Sequence, residues 1–307
     1  MRDRTDGGVS GRSRPGWATR PERGSALVVR GAVRLALALG RPAAWRLLHA
    51  VSLYFMAVSP ADRAASRQYL RRALDREPGL ADVFRHFHAF ATTILDRVYL
   101  LNDQYDRFEV RVHGEEIVAD KLAAGEGCLL VGAHLGSFEI VRFVGRAARA
   151  LRVALVMYER NTRTLNAALD AINPDLAMRV IALGSIDSML QVENALVEGE
   201  FVGMLADRAI EVESTIACPF LGVPARFPAG PFRIAAILGR PVVLMFGIYQ
   251  GGNRYEVHFE RLAGSGPGAR EDRNVAIGEM LRQYVARLEH YCRIAPYNWF
   301  NFYDYWN

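Results

Sequence analysis

Short apolar segments alternate with longer amphipathic segments from Arg107 to the end of the chain. The apolar segments have the length of buried strands, and the amphipathic ones have helical periodicity. Such alternation is typical of an α/β fold with a largely parallel sheet flanked by helices, and we predict that fold. The predicted strands are Phe108–Val112, Cys128–Val131, Val153–Met157, Arg179–Ala182, Phe201–Leu205, Val242–Phe246 and Arg254–Phe259. The predicted helices lie near residues 115–124, 137–149, 162–172, 186–198, 230–238 and 271–292.

The amino-terminal part of the chain lacks this alternation. Residues 1–24 are rich in Arg, Gly, Ser, Thr and Pro without periodicity, which predicts a disordered basic tail. Helical periodicity begins at Ala26, and Gly40-Arg41-Pro42 should divide it into a helical hairpin. Two more helices are predicted near residues 61–75 and 79–101. The predicted organisation is a tail at 1–24, a helical, membrane-associating region at 25–105 and an α/β domain at 106–307.

The predicted hairpin is basic on one side and apolar on the other. No acidic residue occurs from Arg23 to Ala61, and Arg30, Arg34 and Arg41 share one helical face. Neither helix reaches the 18 or so apolar residues that a spanning helix needs. A basic flank with an apolar, aromatic face suits a helix that lies in the membrane interface. The alternative is a hairpin packed on the domain with solvated arginines.

The charge of the chain restricts its partners. The net charge is +5 and the pI is near 9.3, which favours an anionic partner such as a phospholipid surface, an acidic carrier protein or nucleic acid. A nucleic-acid partner is not predicted, because the basic residues concentrate in the apolar hairpin and do not alternate with aromatic residues on one sheet face.

Several kinds of catalytic site lack support in the sequence. The three cysteines, Cys128, Cys218 and Cys292, lie far apart, so neither a zinc site nor a disulfide framework is predicted. His86 and His88 fall on different faces of one helix, and no metal site is predicted. The sequence contains no serine nucleophile elbow, Walker loop, dinucleotide-binding glycine motif or zinc-protease motif.

One histidine follows the second predicted strand, in the segment Gly132-Ala133-His134-Leu135-Gly136-Ser137-Phe138-Glu139. On an unbroken helix His134 and Glu139 would point roughly 140° apart, but a turn at Gly136 removes this obstacle. The Glu139 carboxylate could then hold one imidazole nitrogen and leave the other to accept a proton. The alternatives are an ordinary loop after a strand, or a different acidic partner for His134 among Asp207, Glu211 and Glu213.

The pattern His-x4-Glu, here HLGSFE, resembles the signature of the lysophospholipid acyltransferase superfamily. Its glutamate form resembles the lipid A biosynthesis (lauroyl/myristoyl) acyltransferases and their phosphatidylinositol-mannoside relatives. The resemblance extends from about residue 25 to the carboxyl terminus. It implies a glycerol-3-phosphate acyltransferase-like fold and an O-acyltransferase in which His134 is the general base and Glu139 orients it.

Further site residues are expected where other strands end. The resemblance implies that Arg160, with Asn161 beside it, binds an acceptor phosphate or sugar, although Asn161 could simply cap a helix. Asp207 and Arg208 follow the strand Phe201–Leu205 and resemble another family block, although a surface ion pair is the alternative. Gly230 begins a helix whose N-terminal amides could meet an anionic or oxyanionic group.

The resemblance also implies the substrates and the location. The donor would be acyl carrier protein or acyl-CoA, the acceptor a membrane lipid or glycolipid of the lipid A type, and no cofactor is expected. The enzyme would lie on the cytoplasmic face of the inner membrane. The alternatives are the same chemistry on a phosphatidylinositol mannoside, an aminolipid or another glycolipid, or a non-catalytic membrane-bound lipid carrier. The aromatic residues of the last eleven positions could meet lipid or cap the core.

Overall fold

The computed structural model describes residues 26–141, 144, 152–158, 172–173, 179–183, 186–209, 214–264 and 273–306. The helices are α1 (Ala26–Leu39), α2 (Arg41–Val58), α3 (Pro60–Ala73), α4 (Leu80–Leu100), α5 (Glu115–Ala123), α6 (Ile186–Val197), α7 (Gly230–Leu238) and α8 (Arg273–Ile294). The strands are β1 (Glu109–His113), β2 (Leu129–Gly132), β3 (Val153–Tyr158), β4 (Val180–Leu183), β5 (Phe201–Leu205), β6 (Thr215–Phe220), β7 (Val223–Pro228), β8 (Val242–Tyr249) and β9 (Arg254–Arg261).

Seven of these strands form one sheet in the order β1-β9-β8-β2-β5-β3-β4. Strands β8, β2, β5, β3 and β4 run parallel to one another, whereas β9 pairs antiparallel with β8 and parallel with β1. The predicted α/β fold with a largely parallel sheet is therefore confirmed, and each predicted strand overlaps an observed one. The helix predicted near 162–172 lies outside the described residues except at its last position, and the one near 137–149 is described only in part.

An antiparallel hairpin of β6 and β7 was missing from the sequence prediction. Its strands contain Pro219, Pro224 and Pro228, and a proline weakens the assignment of a segment as a strand because it cannot donate to the ladder. A two-stranded ribbon tolerates them, because each strand has one unpaired edge. Leu221 and Gly222, both with positive φ, make the turn between the strands.

The sheet separates two apolar clusters. Alternate residues along β2 point to opposite faces, so that Leu129 and Val131 join one cluster while Leu130, with Cys128 just before the strand, joins the other. The first cluster includes side chains from α3, α4, α7 and α8, and the second includes side chains from α1 and α4. Both faces of the central strands are thus covered, as a parallel sheet requires.

The first two helices are tied to the rest by a buried ion pair. Arg41 of α2 donates through Nε to Asp96 of α4 at 2.7 Å, and both side chains are buried. The hydroxyl of Tyr255 on β9 donates to the same carboxylate at 2.7 Å. Three elements therefore meet at one fully buried acid. The division into separate regions at residue 105 stays a prediction.

The outer side of α1 and α2 remains apolar and exposed. The large exposed apolar side chains on these two helices are Leu35, Leu39, Leu47, Val51, Leu53, Tyr54, Phe55 and Val58. Within the described residues, no helix combines the length and the apolar character needed to cross a bilayer.

Candidate active site

Two strand ends bring a histidine and an aspartate together. In the parallel register of β2 and β5, Gly132 lies opposite Leu205. His134 and Asp207 each stand two residues beyond that pair, at the carboxyl ends of neighbouring strands. Nδ1 of His134 lies 2.8 Å from Oδ1 of Asp207, and the backbone N–H of His134 donates to the same oxygen at 3.1 Å.

The second oxygen of the Asp207 carboxylate is also fully engaged. Nε1 of Trp299 donates to Oδ2 at 3.0 Å, and Nδ2 of Asn301 donates to it at 2.9 Å. The Tyr305 hydroxyl donates to the backbone carbonyl of Asp207 at 2.8 Å. Asp207 is completely buried, and a buried carboxylate is stable as an anion only with such a set of donors.

These contacts determine the protonation of the His134 ring. Burial raises the pKa of Asp207, but the charge and hydrogen bond of His134, the charge of Arg208 and the Asn301 donor outweigh burial and hold that pKa well below its usual range. An ionised carboxylate only accepts, so Nδ1 carries the proton and Nε2 of the neutral ring is an acceptor. Desolvation and then the Arg208 charge lower the pKa of His134, against the opposing effect of Asp207. The ring is therefore neutral at pH 7, and with 31% of the side chain exposed it is accessible to a substrate.

The loop that carries His134 is held from two sides. Gly136 donates to the Asn298 carbonyl at 2.8 Å, and Ser137 donates to the Gly247 carbonyl of β8 at 2.8 Å. The His134 carbonyl accepts from Phe300 N–H at 2.7 Å. Gly136 has a φ of +65°, and a Cβ there would overlap the carbonyl oxygen of Gly247. The sequence predicted a turn at Gly136. Its positive φ and its close approach to Gly247 both require glycine at this position.

The carboxyl-terminal segment Asn298–Trp306 acts as a strap across this loop. His86 of α4 supports the strap, with Nε2 donating to the Trp299 carbonyl and Nδ1 accepting from Ser66, both at 2.9 Å. Arg208 donates through Nε to Asn301 Oδ1 at 2.6 Å and through Nη2 to the Phe300 carbonyl at 2.9 Å. Helix α4, the strap and the residues after β5 thus hold one another around Asp207.

The sequence predicted that Glu139 would contact a ring nitrogen of His134, but Glu139 contacts Arg97 and Ser137. Its carboxylate forms an ion pair with Nε of Arg97 at 2.7 Å and accepts from the Ser137 hydroxyl at 3.3 Å. The contact on Nδ1 of His134 comes from Asp207, one of the alternative acids that the sequence offers. The reason is the sheet: β5 lies beside β2, whereas the chain after Gly136 turns toward α4 and its Arg97.

The remaining predicted site residues differ in how far the structure describes them. Arg160 and Asn161 lie outside the described residues, as do Glu211 and Glu213. Gly230 is the first residue of α7, so the expected helix N-terminus is present. Substrate binding by these residues and by Arg208 stays a prediction.

Sequence reasoning missed Trp299 and Asn301 as partners of the acid. The aromatic content of the tail predicts a lipid contact or a core cap but no polar role, yet Trp299 is 0% exposed and Asn301 is 1% exposed. The aromatic residues of the strap cap the core here. Asn298 and Asn301, which stand among the aromatic residues, were the available signal, because buried amides among apolar side chains indicate an internal hydrogen-bond network.

The protein is thus an α/β protein in which a histidine, His134, and a buried carboxylate, Asp207, meet at the carboxyl ends of two central parallel strands. The family model described as bacterial lipid A biosynthesis acyltransferase matches residues 21–306. Because the match spans nearly the whole chain, the chain belongs to that family and is an acyltransferase of the lipid A type. A comparison with curated proteins finds no match.

Proposed function

We propose that this protein transfers a fatty acyl group from a thioester, acyl carrier protein or acyl-CoA, to a hydroxyl of a lipid A-type membrane lipid or glycolipid. The observation that carries the proposal is the neutral His134 ring, with Nδ1 held by Asp207 and Nε2 left as an acceptor. No cofactor is needed, because a thioester is already activated.

His134 acts as the general base in this proposal. Nε2 takes the proton from the acceptor hydroxyl while its oxygen attacks the thioester carbonyl. The ester C–O bond forms, the C–S bond breaks, and the leaving thiolate recovers the proton from the imidazolium. The Asp207 anion stabilises that imidazolium. A positioned base of this kind contributes about 10²–10⁴-fold to the rate.

Direct transfer is favoured over a covalent acyl-enzyme. All three cysteines are buried, and burial raises the pKa of Cys128 to about 12 and also raises those of Cys218 and Cys292. A buried thiol with a raised pKa is a poor nucleophile. We therefore place donor and acceptor together in a ternary complex.

The substrate contacts follow from the chemistry of the acceptor and donor. Arg160, Asn161 and Arg208 would hold a phosphate or sugar, or the phosphopantetheine of the donor. Gly230 would offer the amide end of α7 to an anionic group. Glu139 belongs to the loop that carries His134, and Arg97 lies on α4. We assign the ion pair between them to holding that loop.

Membrane contact through α1 and α2 completes the proposal. The exposed apolar side chains of these helices, with basic residues such as Arg30 and Arg34 beside them, suit an interfacial position on the cytoplasmic face of the inner membrane. A contiguous exposed apolar face on a folded protein is typical of an interaction site.

The test is transfer of labelled acyl groups from acyl carrier protein and from acyl-CoA to a lipid extract of the source organism. We expect the wild type to form an acylated lipid, whose mass identifies acceptor and chain length, and His134→Ala to lose activity by about 10²–10⁴-fold. Equal product from both proteins would contradict the role of His134. Lipid bound by the wild type without any product would favour a non-catalytic carrier.

A further inference from the structure

A second group of chemically active side chains lies away from the His134 site, on β1 and β9. His113, the last residue of β1, stands directly opposite His258 of β9 in the parallel register. Their imidazole rings are stacked, with centroids 4.5 Å apart and planes inclined by 7°. Glu256 lies two residues before His258 and therefore on the same face of the sheet.

The Glu256 carboxylate is directed at both imidazoles. Its Oε2 lies 3.6 Å from Nε2 of His258 and 3.9 Å from Nε2 of His113. Arg111 is the cross-strand neighbour of Glu256. Both oxygen–nitrogen separations are longer than a normal hydrogen bond, which leaves a gap between three potential ligand atoms.

We propose that His113, Glu256 and His258 form a site for a divalent transition metal such as Zn²⁺. Two imidazoles and a carboxylate are the ligands of many zinc sites. One ligand atom from each residue lies within 4.8 Å of the other two. In a tetrahedral site with bonds of about 2.0–2.1 Å, ligand atoms are about 3.3–3.4 Å apart, so the Glu256 oxygen would approach the two ring nitrogens by about half an ångström or less. Because the stacked rings are nearly parallel, one imidazole would also turn about its Cβ–Cγ bond so that both nitrogens face the metal.

The backbone around the three side chains is already rigid. All three residues stand on paired strands, and Gly114 follows His113 with a φ of +73° where a Cβ would overlap the carbonyl of Phe259. Gln250 donates to Glu256 Oε2 at 3.2 Å and would orient the carboxylate from outside the ligand set. The metal would join the edge strand β1 to β9, and water would complete its coordination.

The sequence predicts no metal, because neither the cysteine spacing nor His86 and His88 indicate one. The three residues of this site come from segments far apart in the chain, so no spacing motif marks them. Only the pairing of β1 with β9 brings His113 to the other two.

The experiment uses the full-length protein without a histidine tag, stripped of metal by chelator and titrated with Zn²⁺ against an indicator, with Co²⁺ as a spectroscopic probe. We expect one tight equivalent per chain, visible Co²⁺ bands of a four- or five-coordinate site, and a rise in Tm on adding Zn²⁺. His113→Ala removes an exposed ligand, and Glu256→Gln removes one with little change of shape. Each should weaken binding by at least about 100-fold, since loss of an outer-shell partner alone costs 10–100-fold.

His290→Ala is the matched control, since His290 is exposed on α8 outside the cluster. It should retain the wild-type affinity and the Zn²⁺-dependent rise in Tm. Unchanged Tm values of the metal-free variants would show that their folds are intact. Binding that persists in both ligand variants, or wild-type binding no tighter than millimolar, would overturn the site.

Discussion

Asp207 receives two donors from His134 and two from the carboxyl-terminal strap. At the scale of single residues, this arrangement gives the carboxylate two tasks. It keeps the His134 proton on Nδ1, and it binds the strap to the end of β5. Glu139 performs neither task, because its carboxylate is paired with Arg97.

Replacement of Asp207 by Asn should separate these roles. The amide would donate to Nδ1 and favour the wrong tautomer, so we expect kcat to fall by about 10²–10⁴-fold. Loss of the negative charge should also lower the pKa of His134 further, because Asp207 raises it in the wild type. The acid limb of the kcat–pH profile should therefore move to lower pH.

Glu139→Gln is the matched control for this substitution. It should lower kcat less and leave the position of the acid limb nearly unchanged, with Tm measured for both variants to monitor folding. A larger loss and a larger pH shift in Glu139→Gln than in Asp207→Asn would return Glu139 to the role of partner.

His86 should make the protein sensitive to acid. Burial lowers the pKa of His86 to about 4, against the opposing effect of the Trp299 carbonyl. Between pH 6.5 and 4 His86 binds a proton in the unfolded chain but stays neutral in the folded state. The free energy of unfolding therefore falls as the pH falls. The loss is about 3 kcal/mol by pH 4, from a pKa difference of roughly 2.5 units.

Urea unfolding of the wild type and of His86→Gln across this pH range measures the effect. The wild type should lose more stability than the variant on acidification, and their difference should be constant above pH 7, where His86 is neutral in both states. Parallel curves from pH 7 to 4 would contradict the assignment.

At the scale of elements, the loop after β2 is held between β8 and the strap. The bridges Leu135–Trp299 and Gly136–Gly247 continue the pairing of the sheet beyond the end of β2. This explains why the His134 backbone is fixed although it lies outside a strand. The sequence predicted the turn at Gly136 but not the two segments that hold it.

Gly136→Ala should destabilise the protein by about 3 kcal/mol or more, because positive φ and steric overlap add. Gly125→Ala is a matched control, since Gly125 has the same φ of +65° but no atom within 4 Å of the position that a Cβ would occupy. It should cost only about 1 kcal/mol. Equal losses in urea unfolding would mean that the contact with Gly247 is unimportant.

At the scale of the whole molecule, the apolar outer side of α1 and α2 has to be reconciled with the tight attachment of α2 to α4 and β9. Arg41 is buried against Asp96, so it is not available to lipid, although the sequence placed it on a basic face with Arg30 and Arg34. The hairpin is thus both packed on the domain and exposed on its far side. The two interpretations of the sequence, a hairpin in the membrane interface and a hairpin packed on the domain, are therefore compatible.

Leu47→Glu should weaken binding to vesicles that contain anionic lipid by about tenfold or more, because a buried apolar side chain contributes about 1.5–3 kcal/mol. Leu47 is 52% exposed on α2 and shares a helix face with Val51, Tyr54 and Val58. Val197 on α6, 65% exposed, provides the control Val197→Glu. The control should bind like the wild type in vesicle flotation. Equal binding by Leu47→Glu and the wild type would argue against insertion of this face.

The sequence by itself determined the alternation of strands and helices, the position of His134 just beyond β2 and the resemblance of its motif to the acyltransferases. These are local features, because the spacing of apolar residues and the identity of a few neighbours contain them. The tertiary structure decided which acid holds His134, since strand order places β5 beside β2 and thereby sets Asp207 against the ring. It also decided that the aromatic tail is a buried strap and that His113 meets His258. Contacts between distant segments depend on register and packing, and no local pattern specifies them.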